Sequence, residues 1–160
     1  MAPSPEVALR PFAPDDIPLL RLWEKDDEVR KWLGTAGITA YSSDRTRRVL
    51  AIECAGAAIG YIILDNINWK AGSVEIRVCI GEADYRDRGL GRIAITLALG
   101  ILRKRRSLKE VYLRVDPANK RAVRCYERCG FRKEGILRRS STVVNDLLLM
   151  SYRFTLLEVT

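Results

Sequence analysis

From Val74 to Ile101 the chain runs as an apolar strand, a basic glycine-containing loop (Asp87-Arg88-Gly89-Leu90-Gly91-Arg92) and an amphipathic helix. No other stretch restricts the fold as much. Leu90, Ile93, Ala94, Leu97, Ala98 and Ile101 recur at i, i+3, i+4, i+7, i+8 and i+11, the period of a helix lying on a sheet. Gly89 and Gly91 let the backbone turn and approach a ligand with no Cβ between them, and the first N–H groups of the following helix are left without intrahelical partners. Such a loop suits an anion, a phosphate above all.

The remaining elements follow from period and punctuation. Val7 to Arg10 reads as a strand, and Pro14-Asp15-Asp16 starts a helix carrying Ile17, Leu20 and Trp23. A second short helix carries Val29, Trp32 and Leu33, and Gly34 to Asp44 reads as a loop. Arg48 to Cys54, Ala57 to Ile67 and Ser73 to Gly81 form an antiparallel meander. After the glycine loop and its helix come a strand at Val111 to Val115, a helix from Ala118 to Cys129 closed by Gly130, and strands at Phe131 to Arg138 and Leu147 to Phe154. The order β-α-α-β-β-β-α-β-α-β-β contains one right-handed crossover, over residues 74 to 115, that makes two neighbouring strands parallel in an otherwise antiparallel sheet. The expected class is α+β, a single mixed sheet of six to seven strands flanked by about four helices, in one domain over residues 1–160.

Composition narrows the chemistry. The chain has no histidine, which excludes Ser-His-Asp and Cys-His catalysis and histidine metal sites; a base must be a carboxylate, tyrosine, cysteine, lysine, a terminus or water. Cys54, Cys79, Cys125 and Cys129 read as free thiols, and two thiols at i,i+4 without histidine make a poor zinc set, so no metal is expected. The net charge of +8 suits an acidic ligand or partner. Arg103-Lys104-Arg105-Arg106, the densest basic run, complements the C-terminal end of a helix and does not by itself call for nucleic acid. With neither a signal-peptide pattern nor a membrane-length apolar run, a cytoplasmic protein is expected.

Two glycine-loop chemistries compete. Gly89-x-Gly91-x-x-Ala94, with Asp116 ending the next strand, formally fits a nicotinamide-cofactor fingerprint; Glu82 to Arg88, however, separate the strand from the first glycine. No G-x-x-x-x-G-K-[ST] is present. The fuller pattern is Arg86-x-x-Gly89-x-Gly91 after the strand, followed by Asn119-x-x-Ala122-x-x-x-Tyr126-Glu127-x-x-Gly130-Phe131. With these residues the chain resembles the GNAT superfamily of N-acetyltransferases. Leu9-Arg10-Pro11-Phe12 and the region holding Trp23 and Trp32 are similar to the branch containing ribosomal-protein N-terminal, spermidine and aminoglycoside acetyltransferases.

The resemblance implies acetyl-CoA as co-substrate, its pyrophosphate on the backbone N–H groups of Arg86, Asp87, Arg88, Gly89, Leu90 and Gly91, with charge added by Arg88 and Arg92. It implies that the pantetheine arm and acetyl carbonyl use backbone groups of Val78, Cys79 and Ile80, where the strand splays from its neighbour, and that Asn119 contacts the same arm. Tyr126 is implied as the acid that protonates the leaving thiolate, a role open to a phenol with a pKa near ~10. Glu75 stands where many members carry a glutamate acting as base through water; its other reading is a strand carboxylate paired to an arginine. Glu24, Asp27 and Glu28 fall in the wall of the acceptor groove, where they would bind a cationic amine, or form an acidic solvent face. The expected acceptor is a protein N-terminal amine, with a polyamine or aminoglycoside as the alternative; a non-catalytic acyl-CoA sensor is the rival of another class. A homodimer is compatible with the sequence, and a membrane partner is not expected. Residues 140–146 lack the Asn-Gly turn of this branch.

Overall fold

The computed structural model describes residues 6–33 (backbone only at 32 and 33), 45–138 and 146–155. The loop expected over residues 34–44 and the departure read at residues 140–145 lie outside them. Seven strands form one sheet in the order β1-β2-β3-β4-β5-β7-β6. The strands are β1 (Val7–Pro11), β2 (Arg48–Cys54), β3 (Ala57–Asn68), β4 (Ser73–Ile80), β5 (Glu110–Val115), β6 (Arg132–Leu137) and β7 (Leu147–Arg153). The helices are α1 (Ile17–Trp23), α2 (Asp27–Leu33), α3 (Leu90–Leu102) and α4 (Lys120–Arg128). The β4–β5 pair is parallel and its neighbours are antiparallel, as the crossover requires.

Side-chain alternation along β3 and β4 divides the core between the two faces. Ile62, Leu64, Val74 and Ile76 pack with Val111 and Leu113 under α3 and α4. Tyr61, Ile63 and Cys79 face the other way, onto Phe12, Leu20, Trp23 and Val29 of the α1–α2 region. Trp23 lies so close over Gly81 that a Cβ there would come within 2.1 Å of the indole, so α1 docks directly on the end of β4. Its Nε1 donates to Glu82 Oε1 at 2.8 Å. Arg10 fastens the start of α1 by a two-pronged bond to Asp16 (2.7 and 2.8 Å), holding that carboxyl below the usual carboxylate range.

Two helix faces differ from the sequence reading. On α3 the buried residues are Leu90, Ala94, Ile95, Ala98, Leu99 and Leu102, while Leu97 and Ile101 are exposed and Ile93 half-buried. The helix is apolar almost all round, so its pattern admits two phases, and packing against β1 and β4 selects the one through Ile95. On α4 the stripe expected to be buried (Ala118, Ala122, Cys125, Cys129) is exposed or half-buried, and Val123 and Tyr126 enter the core. The helix also begins later than expected, with Asn119 as its cap. Beyond α3, the Arg105 guanidinium of the basic run lies 4.6 Å from the Trp69 ring centroid.

Candidate active site

Between β4 and α3 the chain makes a 3-10 turn (Ala83–Tyr85) and then passes through two left-handed residues, Asp87 (φ 62°) and Gly89 (φ 75°). Gly89 is the N-cap of α3 and no side chain caps this end, so the positive end of a 13-residue helix opens onto the loop. A Cβ on Gly91 would meet only Ile80 Cγ1, at 4.0 Å, so its surroundings in the protein do not demand glycine. Arg88, Gly89, Arg92, Ile93, Thr96 and Leu97 line a cavity of about 440 Å³ here. Two guanidinium groups beside aliphatic and backbone surface suit a ligand that is part phosphate and part apolar chain.

The side chains of Arg86 and Asp87 turn away from that opening. Arg86 donates to the carbonyls of Ile80 (2.9 Å) and Gly81 (3.0 Å) and to Asp26 Oδ2 (3.1 Å), fixing the end of β4 to the α1–α2 elbow. Asp87 accepts from Arg121 of α4 at 3.1 and 3.2 Å, and Arg121 also reaches Glu28 at 3.7 Å. Arg88 stacks 5.5 Å from the Tyr85 ring centroid, and Leu90 is an anchor in the core.

At the carboxyl end of β4 the sheet forks. Parallel pairing with β5 covers only Ser73–Glu110, Val74–Val111 and Glu75–Tyr112, and β4 then continues five residues further with β3 alone on its other side. Val78, Cys79 and Ile80 therefore border the fork with backbone not paired to β5. Burial pushes the Cys79 thiol up to about 12, which suits a packed thiol and not a nucleophile. Tyr126 enters from α4, 8% exposed, with its ring 6.0 Å from that of Phe131. Burial, followed by the thiols of Cys125, Cys129 and Cys79 around it, raises its phenol above the ordinary value, so it stays protonated. Asn119 caps α4 through its carbonyl oxygen, which accepts from the Ala122 N–H at 3.3 Å, and this leaves its amide donors to point elsewhere.

Glu75, 1% exposed at the base of the fork, is held in an ion pair. Arg114 donates to its two oxygens at 2.7 and 3.1 Å, and Asn66 Nδ2 adds a bond of 2.8 Å. Arg114 and Asn66 carried no signal in sequence; only the β4–β5 register brings Arg114, 39 residues away, beside Glu75. Next to them, burial would raise the Asp65 carboxyl, yet Arg47, the Asn66 N–H and Arg77 together hold it low. Of the acidic residues read as the groove wall, Asp27 and Glu28 lie outward, paired to Arg30 and Arg121. Glu24 and the neighbouring Asp26 are half-buried.

All four cysteines are free, and among the described residues no group of three or more metal-ligating side chains occurs. A hydrogen bond between the Cys125 and Cys129 thiols raises Cys125 and lowers Cys129, and the Cys129 thiol also donates to the Arg92 carbonyl (3.8 Å). Asp116, the ribose-binding acid of the nicotinamide reading, turns back to accept from the Ala118 N–H at 2.9 Å.

Comparison with known proteins decides between the glycine-loop readings. Residues 6–132 match the acetyltransferase (GNAT) domain family. This chain belongs to that family. It is 26% identical over 147 residues to the spermidine N(1)-acetyltransferase of Escherichia coli strain K12, covering 86% of this chain and 78% of the relative. The GNAT fold is shared with the spermidine N-acetyltransferase of Vibrio cholerae solved with CoA and spermine (TM-score 0.79, 24% identity, 92% of this chain and 95% of that one). It is shared equally with the aminoglycoside acetyltransferase AAC(6')-Ib solved with coenzyme A (TM-score 0.80, 19% identity, the same coverages). No helix among the described residues is long and apolar enough to cross a membrane.

Proposed function

We propose that this GNAT acetyltransferase moves the acetyl group of acetyl-CoA directly to a primary amine of a small polycation, a polyamine first and an aminoglycoside second. The observation that carries the acceptor class is the similarity to spermidine N(1)-acetyltransferase along most of both chains. The sequence reading ranks a protein N-terminal amine first; none of these relatives supports that choice.

The geometry supports a division of labour. Backbone N–H groups from Asp87 to Arg92 take the phosphates, with Arg88 and Arg92 adding charge. The fork between β4 and β5 takes the thioester arm, and unpaired backbone of Val78, Cys79 and Ile80 orients and polarises its carbonyl. Asn119 directs its amide toward the same arm. The amine nitrogen attacks the carbonyl carbon, the carbon–sulfur bond breaks, and the Tyr126 phenol protonates the departing thiolate. Glu75 carries three bonds from Arg114 and Asn66 already, so water reaching it competes with both; we assign it to holding the base of the fork.

Mass spectrometry of acetyl-CoA reactions with spermidine, kanamycin and alanine- or serine-starting peptides tests the acceptor. Monoacetylated spermidine or kanamycin is the expected product. Peptide acetylation alone would return the first choice to an N-terminal amine, and CoA binding without any product would favour the sensor.

A further inference from the structure

Cys125 and Cys129 stand one turn apart at the end of α4, both half-buried, whereas Cys54 on β2 and Cys79 on β4 are buried. Their thiols share a hydrogen bond, and the Arg92 carbonyl that Cys129 contacts at 3.8 Å also accepts from the Thr96 hydroxyl at 2.9 Å. Packing does not account for the pair, since α4 sends Val123 and Tyr126 into the core and leaves both sulfurs partly open. Neither sulfur has a part in the proposed transfer.

Cations face the pair from both helices: Arg92 acts on both thiols and Arg128 on Cys125. The bond from Cys125 holds the Cys129 thiol below its ordinary value against the effect of burial, with Thr96 and Arg92 assisting, and the same bond raises Cys125. A half-open sulfur among cations, beside a second that keeps its proton, is the arrangement that an oxidant attacks and a neighbour resolves. Geometry sets a condition on that resolution. Residues four apart on an intact helix have Cα atoms about 6 Å apart, which a disulfide spans, but Cβ atoms about 5–6 Å apart against the ~3.5–4.5 Å a disulfide holds. A bond must therefore draw in the last turn of α4. That turn can give, because Cys129 is the C-cap and helix ends fray. Tyr126 lies inside it, and Arg92 and Thr96 line the cavity at the glycine loop.

We propose that Cys125 and Cys129 form a modification site for hydroperoxides: Cys129 is oxidised first, Cys125 closes a disulfide on it, and the drawn-in turn shuts off acetyl transfer. The shut-off rests on the acetyltransferase reading above. In balance, the Cys129 thiolate attacks the terminal oxygen of ROOH and the oxygen–oxygen bond breaks. Cys129 becomes a sulfenic acid, and the departing alkoxide takes up the proton Cys129 gave up and leaves as ROH. The Cys125 sulfur then forms the sulfur–sulfur bond as the sulfur–oxygen bond breaks, and its proton leaves with the hydroxyl as water. Two thiols and ROOH become a disulfide, ROH and water, the sulfurs losing the two electrons that the peroxide gains. Drawing in the turn displaces Tyr126 and pulls Cys129 off the Arg92 carbonyl, so the proposed acid and the phosphate loop lose their alignment together. A dithiol reductant reverses the bond.

Hydrogen peroxide is the probe, applied to wild type, Cys125→Ala and Cys129→Ala, with tryptic peptides mapped by mass spectrometry and acetyl transfer to spermidine measured before and after dithiothreitol. Trypsin cuts after Arg124, Arg128 and Arg132, so each cysteine falls in its own peptide and a disulfide joins the two. In wild type the joined peptides should form while Cys54 and Cys79 stay reduced, transfer should fall about tenfold or more, and dithiothreitol should restore both. Cys125→Ala should stop at a Cys129 sulfenic acid that dimedone traps, and Cys129→Ala should give neither product. Oxidation at Cys54 or Cys79 first, no joined peptides, or joined peptides with transfer changed less than about twofold overturns the proposal. If untreated wild type acetylates no amine, the acetyltransferase reading falls and takes the shut-off with it, while the peptide map still decides the dithiol site. If wild type transfers acetyl and no joined peptides form, the dithiol site alone falls.

Discussion

At the scale of single residues, Tyr126 and Arg86 show how differently two motif positions are used. Arg86 spends its guanidinium on the carbonyls of Ile80 and Gly81 and on Asp26, so it shapes the loop from behind. Tyr126 is a core residue whose phenol burial keeps protonated, its ring against that of Phe131. Tyr126→Phe should lower kcat by about 100-fold or more while leaving acetyl-CoA affinity within about twofold, read by steady-state rates and calorimetric titration. Because the phenol is raised, its ionisation should take no activity from the wild type up to pH ~10. Both residues stand out in sequence as motif positions, since their spacing from Gly89 and Asn119 forms a pattern. The polar partners do not. Arg114 reads as an ordinary exposed strand residue until register sets it against Glu75.

Among the elements, the loop and α3 separate stability from binding. Gly89→Ala forces a side chain into φ 75° and should cost about 1 kcal/mol through backbone strain alone, as a Cβ there touches nothing. Gly91→Ala meets only Ile80 at 4.0 Å, so Tm should hold while acetyl-CoA affinity falls by about tenfold or more. Thermal melts and calorimetry on the pair check this. Along α3, Ile95→Ala should cost ~2–5 kcal/mol and Leu97→Ala under ~1 in urea unfolding, because Ile95 is fully buried and Leu97 is 38% exposed. That contrast also marks what the sequence could not resolve. The order of eleven main elements was readable from the switch between periods of two and 3.6. Which side of an all-apolar helix meets the sheet depends on the partner's shape, and sequence periodicity carries no record of it.

Over the whole molecule, carboxylate–arginine pairs pin separate segments together: Asp16 before α1 to Arg10 of β1, Asp26 of the α1–α2 elbow to Arg86 after β4, and, within the sheet, Asp65 of β3 to Arg77 of β4 and to Arg47 before β2. All three carboxyls are lowered in the fold. Their stabilisation is therefore complete above the unfolded value of ~3.9 and is lost as pH falls through the lowered ones. Urea midpoints should stay level from pH 7 to 5 and fall below pH ~4; a midpoint that holds at pH 3 would contradict this. The first two pairs hold α1, the elbow and the end of β4 in one frame, which the proposed acetyl transfer would use to position its reactants. The most direct test is release of free thiol from acetyl-CoA with spermidine as acceptor, wild type beside Tyr126→Phe. Acceptor-dependent release in wild type, reduced about 100-fold in the variant, is the expected result. Acetyl-CoA bound but no thiol released, with spermidine or any other amine, would contradict it.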